Sequence, residues 1–131
     1  MNLKSIFITG GAGYAGSCLV PELLNRGYKV TVYDKEKSRW LRSDQKMIIG
    51  DLLDVVSLEK AISEADVVYH LAALANIDEA FKKPIQTIKV NIFGTALALE
   101  ISRKYNIKRF IHASSIYVNS QDGGFYRCSK Q

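Results

Sequence analysis

The chain of 131 residues holds only two cysteines, two prolines, two histidines and one tryptophan. Cys18 and Cys128 are too few for a disulfide scaffold, and no metal-ligand spacing surrounds them. No metal is therefore expected, and the two thiols are read as free, as in a cytoplasmic protein. No uncharged apolar run approaches the roughly 18–20 residues of a membrane helix, so no membrane partner is expected. The opening MNLKSIFITGG has too few apolar residues before its glycines to be a secretory leader. Internal repeats, low-complexity tracts and linkers are missing as well. What remains is one domain's worth of chain, 47% hydrophobic and 24% charged, long enough to bury a core.

Charge is unbalanced, at +5. The basic residues are scattered apart from KEKSR (35–39) and NIKRF (106–110), and neither stretch interleaves aromatics with glycines as single-strand binders do. A nucleic-acid partner is not expected. A modest positive balance suits phosphate-bearing small ligands equally well.

Turn signals divide the chain into alternating elements. SIFIT (5–9), YKVTVYD (28–34), KMIIG (46–50), DVVYHLAA (66–73) and KRFIHASS (108–115) read as strands. Leu19, Val20, Leu23 and Leu24 recur at helical spacing over 14–26, where Pro21 costs one backbone hydrogen bond and Gly27 ends the helix. Ser57 is expected to cap a short helix that turns Leu58, Ala61 and Ile62 inward. Pro84 suits the first turn of a long helix reaching about residue 105. That helix has two apolar stripes: Ile88, Ile92, Ala96 and Leu99, and Val90, Phe93, Leu97 and Ile101. One stripe can cover a sheet; the other needs a further partner, for which a homodimer is a candidate. Strands alternating with helices imply right-handed crossovers and a Rossmann-like, doubly wound parallel α/β sheet of about five strands.

Directly after the first strand comes TGGAGYAG (9–16), in which Gly10, Gly13 and Gly16 fit G-x-x-G-x-x-G. Gly10 permits a tight turn, Gly13 lets backbone approach a pyrophosphate, and Gly16 lets the helix pack on its strand. The anion would sit at the helix N-terminus beside Tyr14 and Ala15. Asp34 ends the second strand at the distance expected for an acid that accepts from the adenosine ribose, which favours NAD over NADP. Lys35, Lys37 and Arg39 could instead hold a 2′-phosphate, and a glycine turn can also be only a turn.

Tyr-x-x-x-Lys occurs twice, as Tyr33–Lys37 and as Tyr126–Lys130. On a helix this spacing stacks both side chains on one face. A free tyrosine, with a pKa of about 10, is too weak an acid to serve as a base near neutrality, and a nearby ammonium favours the phenolate. Spacing alone does not choose between the two pairs, or between catalysis and a helix surface.

The chain resembles the extended branch of the short-chain dehydrogenase/reductase superfamily, the NAD-dependent epimerase/dehydratase family of nucleotide-sugar enzymes. TGGAGYAG (9–16), Asp34, GD (50–51), HLAA (70–73), Asn91 in NIFGT, SS (114–115) and YRCSK (126–130) carry the likeness, in the family's order. The resemblance implies that Asp51 hydrogen-bonds the adenine with Leu52 beside it, and that Leu71, Ala72 and Ala73 line the ribose and nicotinamide side. It implies that Asn91 braces the middle of the sheet. It further implies that Ser115, Tyr126 and Lys130 are catalytic, with Tyr126 and Lys130 also touching the cofactor; Tyr33–Lys37 is then a decoy. Ser114 is expected to be structural, and His70 and His112 to be packed core histidines.

Two departures bear on the substrate. Only a short gap, nearly filled by NSQDGG (119–124), separates Ser115 from Tyr126, and Ala75 stands where some epimerases have a longer polar residue. The expected function is the NAD-binding portion of a nucleotide-sugar epimerase or dehydratase. The alternatives are a carbonyl reductase of the same superfamily and a dinucleotide-binding redox sensor without turnover. The chain is expected to lack the family's C-terminal substrate domain. Its last helix, left with few residues to anchor it, is expected to be mobile from about residue 119, or ordered only by a partner chain.

Overall fold

Apolar β-rich runs of four to six residues form five parallel strands in the computed structural model, which describes residues 4–131. These are β1 (Ser5–Thr9), β2 (Lys29–Asp34), β3 (Lys46–Ile49), β4 (Val67–His70) and β5 (Arg109–His112), in the order β3-β2-β1-β4-β5. Sequence and structure agree on this doubly wound, Rossmann-like sheet. β1 spans the whole of its expected run, β2 and β3 are one residue shorter than theirs, and β4 and β5 are half as long. β4 leaves the sheet at His70, so Leu71, Ala72 and Ala73 lie in the loop beyond it.

Side-chain alternation gives the sheet two cores. On one face Ile6, Ile8, Val30, Val32 and Val67 pack with Val20 and Leu23 of α1 (Tyr14–Asn25). On the other, Phe7, Tyr33 and Val68 meet Leu58 and Ile62 of α2 (Val55–Ile62) and the helix that precedes β5. α1 runs unbroken through Pro21. The cap of α2 differs from expectation: Asp54, not Ser57, is the N-cap, and its carboxylate accepts Ser57 N–H at 3.1 Å. An acid one step before the helix satisfies a free donor and also complements the dipole.

The expected long helix is divided. A separate α3 (Ile77–Lys82) is capped by Asn76, and α4 (Pro84–Thr87) starts with Pro84 at its first turn. A π-helical turn over Ile88–Phe93 follows, leading into α5 (Gly94–Lys104). Val90, Leu97 and Ile101 pack into the core while Phe93 stays exposed. Ile88, Ile92 and Leu99 of the other stripe are also exposed, as is Ile85 before them.

The structure also corrects two expectations about the end of the chain. His112 is exposed rather than packed, because β5 is an edge strand. The last residues form α6 (Gly124–Lys130), which is anchored: Tyr126, Ser129 and Lys130 are buried. Asn91 Nδ2 donates to Ser129 Oγ at 2.8 Å, Arg127 Nη1 to Ser120 O at 2.7 Å, and Gln131 Nε2 to Val118 O at 2.9 Å. A short helix that could not persist alone is held by tertiary contacts. Among the described residues no helix is long and apolar enough to cross a membrane.

Candidate functional site

The candidate site lies at the C-terminal ends of the strands, where open α/β sheets bind ligands. Between β1 and α1 the chain turns on Gly10, whose φ of 70° favours glycine; a methyl there would lie 2.5 Å from Ala72 N. Gly10 N–H donates to Tyr33 O at 2.9 Å, tying the turn to β2. A methyl on Gly16 would lie 2.1 Å from Gly11 O, so helix and loop approach as closely as glycine allows. Gly13 differs: a methyl there would meet only Gly10 O at 3.4 Å. The fold leaves room at Gly13 for a methyl. Tyr14 and Ala15, which open α1, are exposed beside this gap.

Asp34, at the end of β2, is held by two backbone donors: Ala12 N–H to Oδ2 at 3.0 Å and Glu36 N–H to Oδ1 at 3.1 Å. It is oriented toward the glycine loop with no basic partner among the described side chains. Lys35, Lys37 and Arg39 are exposed in the following loop. Gly50 N–H donates to Asp34 O at 2.9 Å, which places the exposed Asp51 next to this strand end. Leu52 is turned into the core beside Gly94, so it offers the cleft little surface.

The loop after β4 closes the other side. Leu71 N–H donates to Thr9 O at 3.0 Å, and Ala72 N–H to Thr9 Oγ1 at 3.3 Å. Beneath it His70 is fully buried, with Nδ1 2.8 Å from Thr9 Oγ1 and Nε2 3.0 Å from Thr95 Oγ1. Thr95 Oγ1–H donates to Asn91 O at 2.6 Å, so Thr95 accepts from His70 Nε2–H, and His70 Nδ1 accepts from Thr9. Burial, then the neighbouring His112 and Lys130, lowers the His70 pKa to about 4. Sequence reasoning marked His70 only as packed and missed Thr9, Thr95 and Ser129. Their one signal was polar residues inside otherwise apolar strand and helix patterns.

Asn91 sits in the π-helical turn and clasps its neighbours. Its Oδ1 accepts Leu74 N–H at 2.7 Å, and its Nδ2 donates to Leu74 O at 3.1 Å and to Ser129 Oγ. Such turns recur where a side chain must be re-aimed at a functional site. Here the clasp joins the loop after β4 to α6.

On α6, Tyr126 and Lys130 are buried, at 9% and 8% exposure, one turn apart. Lys130 has no acidic partner among the described residues, and burial lowers its pKa. Tyr117 packs edge-on against Tyr126, with ring centroids 6.3 Å apart. Ser115 Oγ accepts Tyr117 N–H at 3.3 Å, and no hydrogen bond joins Ser115, Tyr126 and Lys130 among the described residues. The other pair behaves differently: Tyr33 is buried in the core and Lys37 is exposed on a loop.

Strand order, the glycine turn at a helix N-terminus and the acid ending β2 define a dinucleotide-binding α/β domain. Residues 6–125 match the NAD dependent epimerase/dehydratase family, and the chain belongs to that family. It is 37% identical over 130 residues to UDP-glucose 4-epimerase 2 of Arabidopsis thaliana, covering 88% of this chain and 37% of that protein. It is also 37% identical over 121 residues to UDP-N-acetyl-alpha-D-glucosaminuronate decarboxylase of Bacillus cytotoxicus, again covering 88% of this chain and 37% of that protein. Among solved structures, UDP-glucose 4-epimerase of Thermus thermophilus in complex with NAD aligns with a TM-score of 0.87 at 29% identity. That alignment covers 96% of this chain and 47% of the other. The chain thus spans little more than a third of the length of these curated relatives.

Proposed function

We propose that the chain is the NAD-binding portion of an oxidoreductase of the epimerase/dehydratase type that acts on a nucleotide sugar. The observation that carries the catalytic part is Lys130: a buried amine with no carboxylate partner among the described residues, one helical turn from Tyr126. An unpaired buried charge is costly unless something outside the chain completes its surroundings. The free donors at the start of α1 and the space at Gly13 fit a pyrophosphate. Asp34 fits a ribose diol, Asp51 an adenine amino group, and Leu71, Ala72 and Ala73 the nicotinamide side. NAD, when bound, supplies a hydride acceptor and donor.

The chain's own groups then have distinct roles. Tyr126 Oη takes the proton of a substrate hydroxyl, and Lys130 favours negative charge on that oxygen while holding the nicotinamide ribose. Ser115 Oγ, which accepts Tyr117 N–H, keeps its own O–H to donate to the same substrate oxygen. Asn91 keeps α6 against the loop after β4. The relatives named above as UDP-sugar enzymes support a nucleotide-sugar substrate.

One observation favours a second reading, a dinucleotide-binding module without turnover: Ser115 is engaged with backbone rather than with Tyr126. The exposed Ile85, Ile88, Ile92 and Leu99 are assigned to a homodimer contact, and two exposed free thiols to a cytoplasmic setting. Turnover of UDP-glucose by the full-length protein, abolished by Tyr126→Phe with NAD affinity intact, would establish the enzyme reading. Unchanged turnover in that variant would remove Tyr126 from the chemistry.

A further inference from the structure

We infer that the hydroxyl of Tyr33 sets the position of the Asp51 turn, making Tyr33 a positioning residue for the adenosine end of the cofactor. The inference rests on the dinucleotide reading above. Its starting point is that Tyr33, half of the discarded Tyr-x-x-x-Lys pair, is a poor choice for its place. The side chain is 1% exposed among Phe7, Leu58 and Ile62, with the Phe7 ring 5.7 Å away, and phenylalanine would fill the same space. A buried phenol needs a partner for its hydroxyl, and the partner found is informative.

Tyr33 Oη–H donates to Asp51 O at 2.8 Å, and Oη lies 3.1 Å from Ser57 Oγ. The Asp51 carbonyl also accepts Asp54 N–H at 3.0 Å. One donor comes from the turn itself and the other from the core. Only the second fixes the turn relative to the sheet. Gly50 belongs to the same device: a methyl there would lie 2.3 Å from Tyr33 Oη, so the hydroxyl occupies the place of a side chain at position 50. With Gly50 N–H donating to Asp34 O, the end of β2 grips the turn from both sides. Asp51 Oδ1 is taken by Leu53 N–H at 2.9 Å, while no hydrogen bond to Oδ2 occurs among the described residues, which leaves that oxygen for an outside donor. The strand that ends in the ribose acid therefore also places the adenine acid. Two carboxylates that must match one rigid ligand are set by consecutive residues, Tyr33 and Asp34.

Tyr33→Phe keeps the ring and removes only the hydroxyl. Titration of the chain with NAD, 5′-AMP and inorganic pyrophosphate should show NAD and AMP binding five- to tenfold more weakly in the variant, with pyrophosphate binding unchanged. Ser57→Ala, which spares the Asp51 contact, should bind all three as wild type does. A purely structural role for Tyr33 would lower the melting temperature without separating AMP from pyrophosphate. Gly50→Ala, which pushes on the hydroxyl, should repeat the AMP-selective loss and serves if Tyr33→Phe does not fold. Wild-type AMP affinity in either folded variant would overturn the inference. Failure of the wild-type chain to bind NAD would overturn the cofactor reading itself, so the two failures are told apart.

Discussion

Replacing Gly13 by valine should separate folding from binding. The structure leaves ordinary van der Waals room for a β-carbon there, with Gly10 O at 3.4 Å, so its first added atom meets no clash among the described residues. Gly13 is the N-cap of α1 and lends no side-chain hydrogen bond, so the folding cost is the poorer cap, about 1 kcal/mol. Binding should respond far more. The branched side chain would stand where the pyrophosphate must approach the helix N-terminus, and loss of that contact should weaken NAD by more than about a hundredfold, or ~3 kcal/mol. Gly16→Ala provides the opposite case. Its methyl would lie 2.1 Å from Gly11 O, a backbone atom, so overpacking of about 1–3 kcal/mol should appear in the stability itself. Urea unfolding and calorimetric titration with NAD, run on both variants, measure the two quantities. A Gly13→Val protein that binds NAD as tightly as wild type would show that the loop is only a turn.

Other outcomes follow from the buried polar groups. His70 titrates near 4 when folded against 6.5 for an ordinary histidine. The unfolded chain therefore binds more protons in that window, and stability should be full above about 6.5 and decline as pH falls toward 4, by about 3 kcal/mol. His112 is exposed at its edge but stacks one ring face on His70, and the partial loss of water there, then Lys130, lowers its pKa in the same direction. Urea midpoints at pH 7 and 4.5 test this, and His70→Gln should flatten the difference; an equal decline in that variant would refute the assignment. Asn91→Ala leaves the Leu74 backbone groups and Ser129 without their partner and should cost about 2–4 kcal/mol. Amide exchange in α6 should quicken at the same time, and unaltered exchange there would refute the clasp. In the full-length protein Lys130→Met should lower kcat/KM for a nucleotide sugar by two orders of magnitude or more, and full activity would place Lys130 outside the site.

Much of this was legible in the residues because local signals and global fold agree. The apolar runs at 5–9 and 28–34 are bounded by glycines and polar residues, and a parallel sheet buries them on both faces. Gly10, Gly16 and Asp34 could be placed from spacing, because the strand–turn–helix pattern fixes where a tight turn, a close helix approach and a strand-ending acid must fall. Signals failed where long-range contacts decide. Nothing in KKPIQTIKVNIF announces a π-helical turn; its apolar stripes suit an ordinary helix equally well. Ser57 and Asp54 are both good caps by residue type, and the helix starts three residues earlier than expected, on Asp54. His112 resembles His70 in sequence context, yet one lies under the loop after β4 and the other on an edge. Anchoring of α6 through Asn91 and Ser129 spans 38 residues, a pairing that helix propensity does not reveal.

The central claim is that Asp34 and the glycine loop hold NAD. Its most direct measurement is parallel calorimetric titration of the chain with NAD and NADP. NAD should fill a single saturable site and NADP should bind at least about tenfold more weakly, because the Asp34 carboxylate repels a 2′-phosphate. Tighter NADP binding would transfer the role to Lys35, Lys37 and Arg39, and no binding of either would contradict the claim outright.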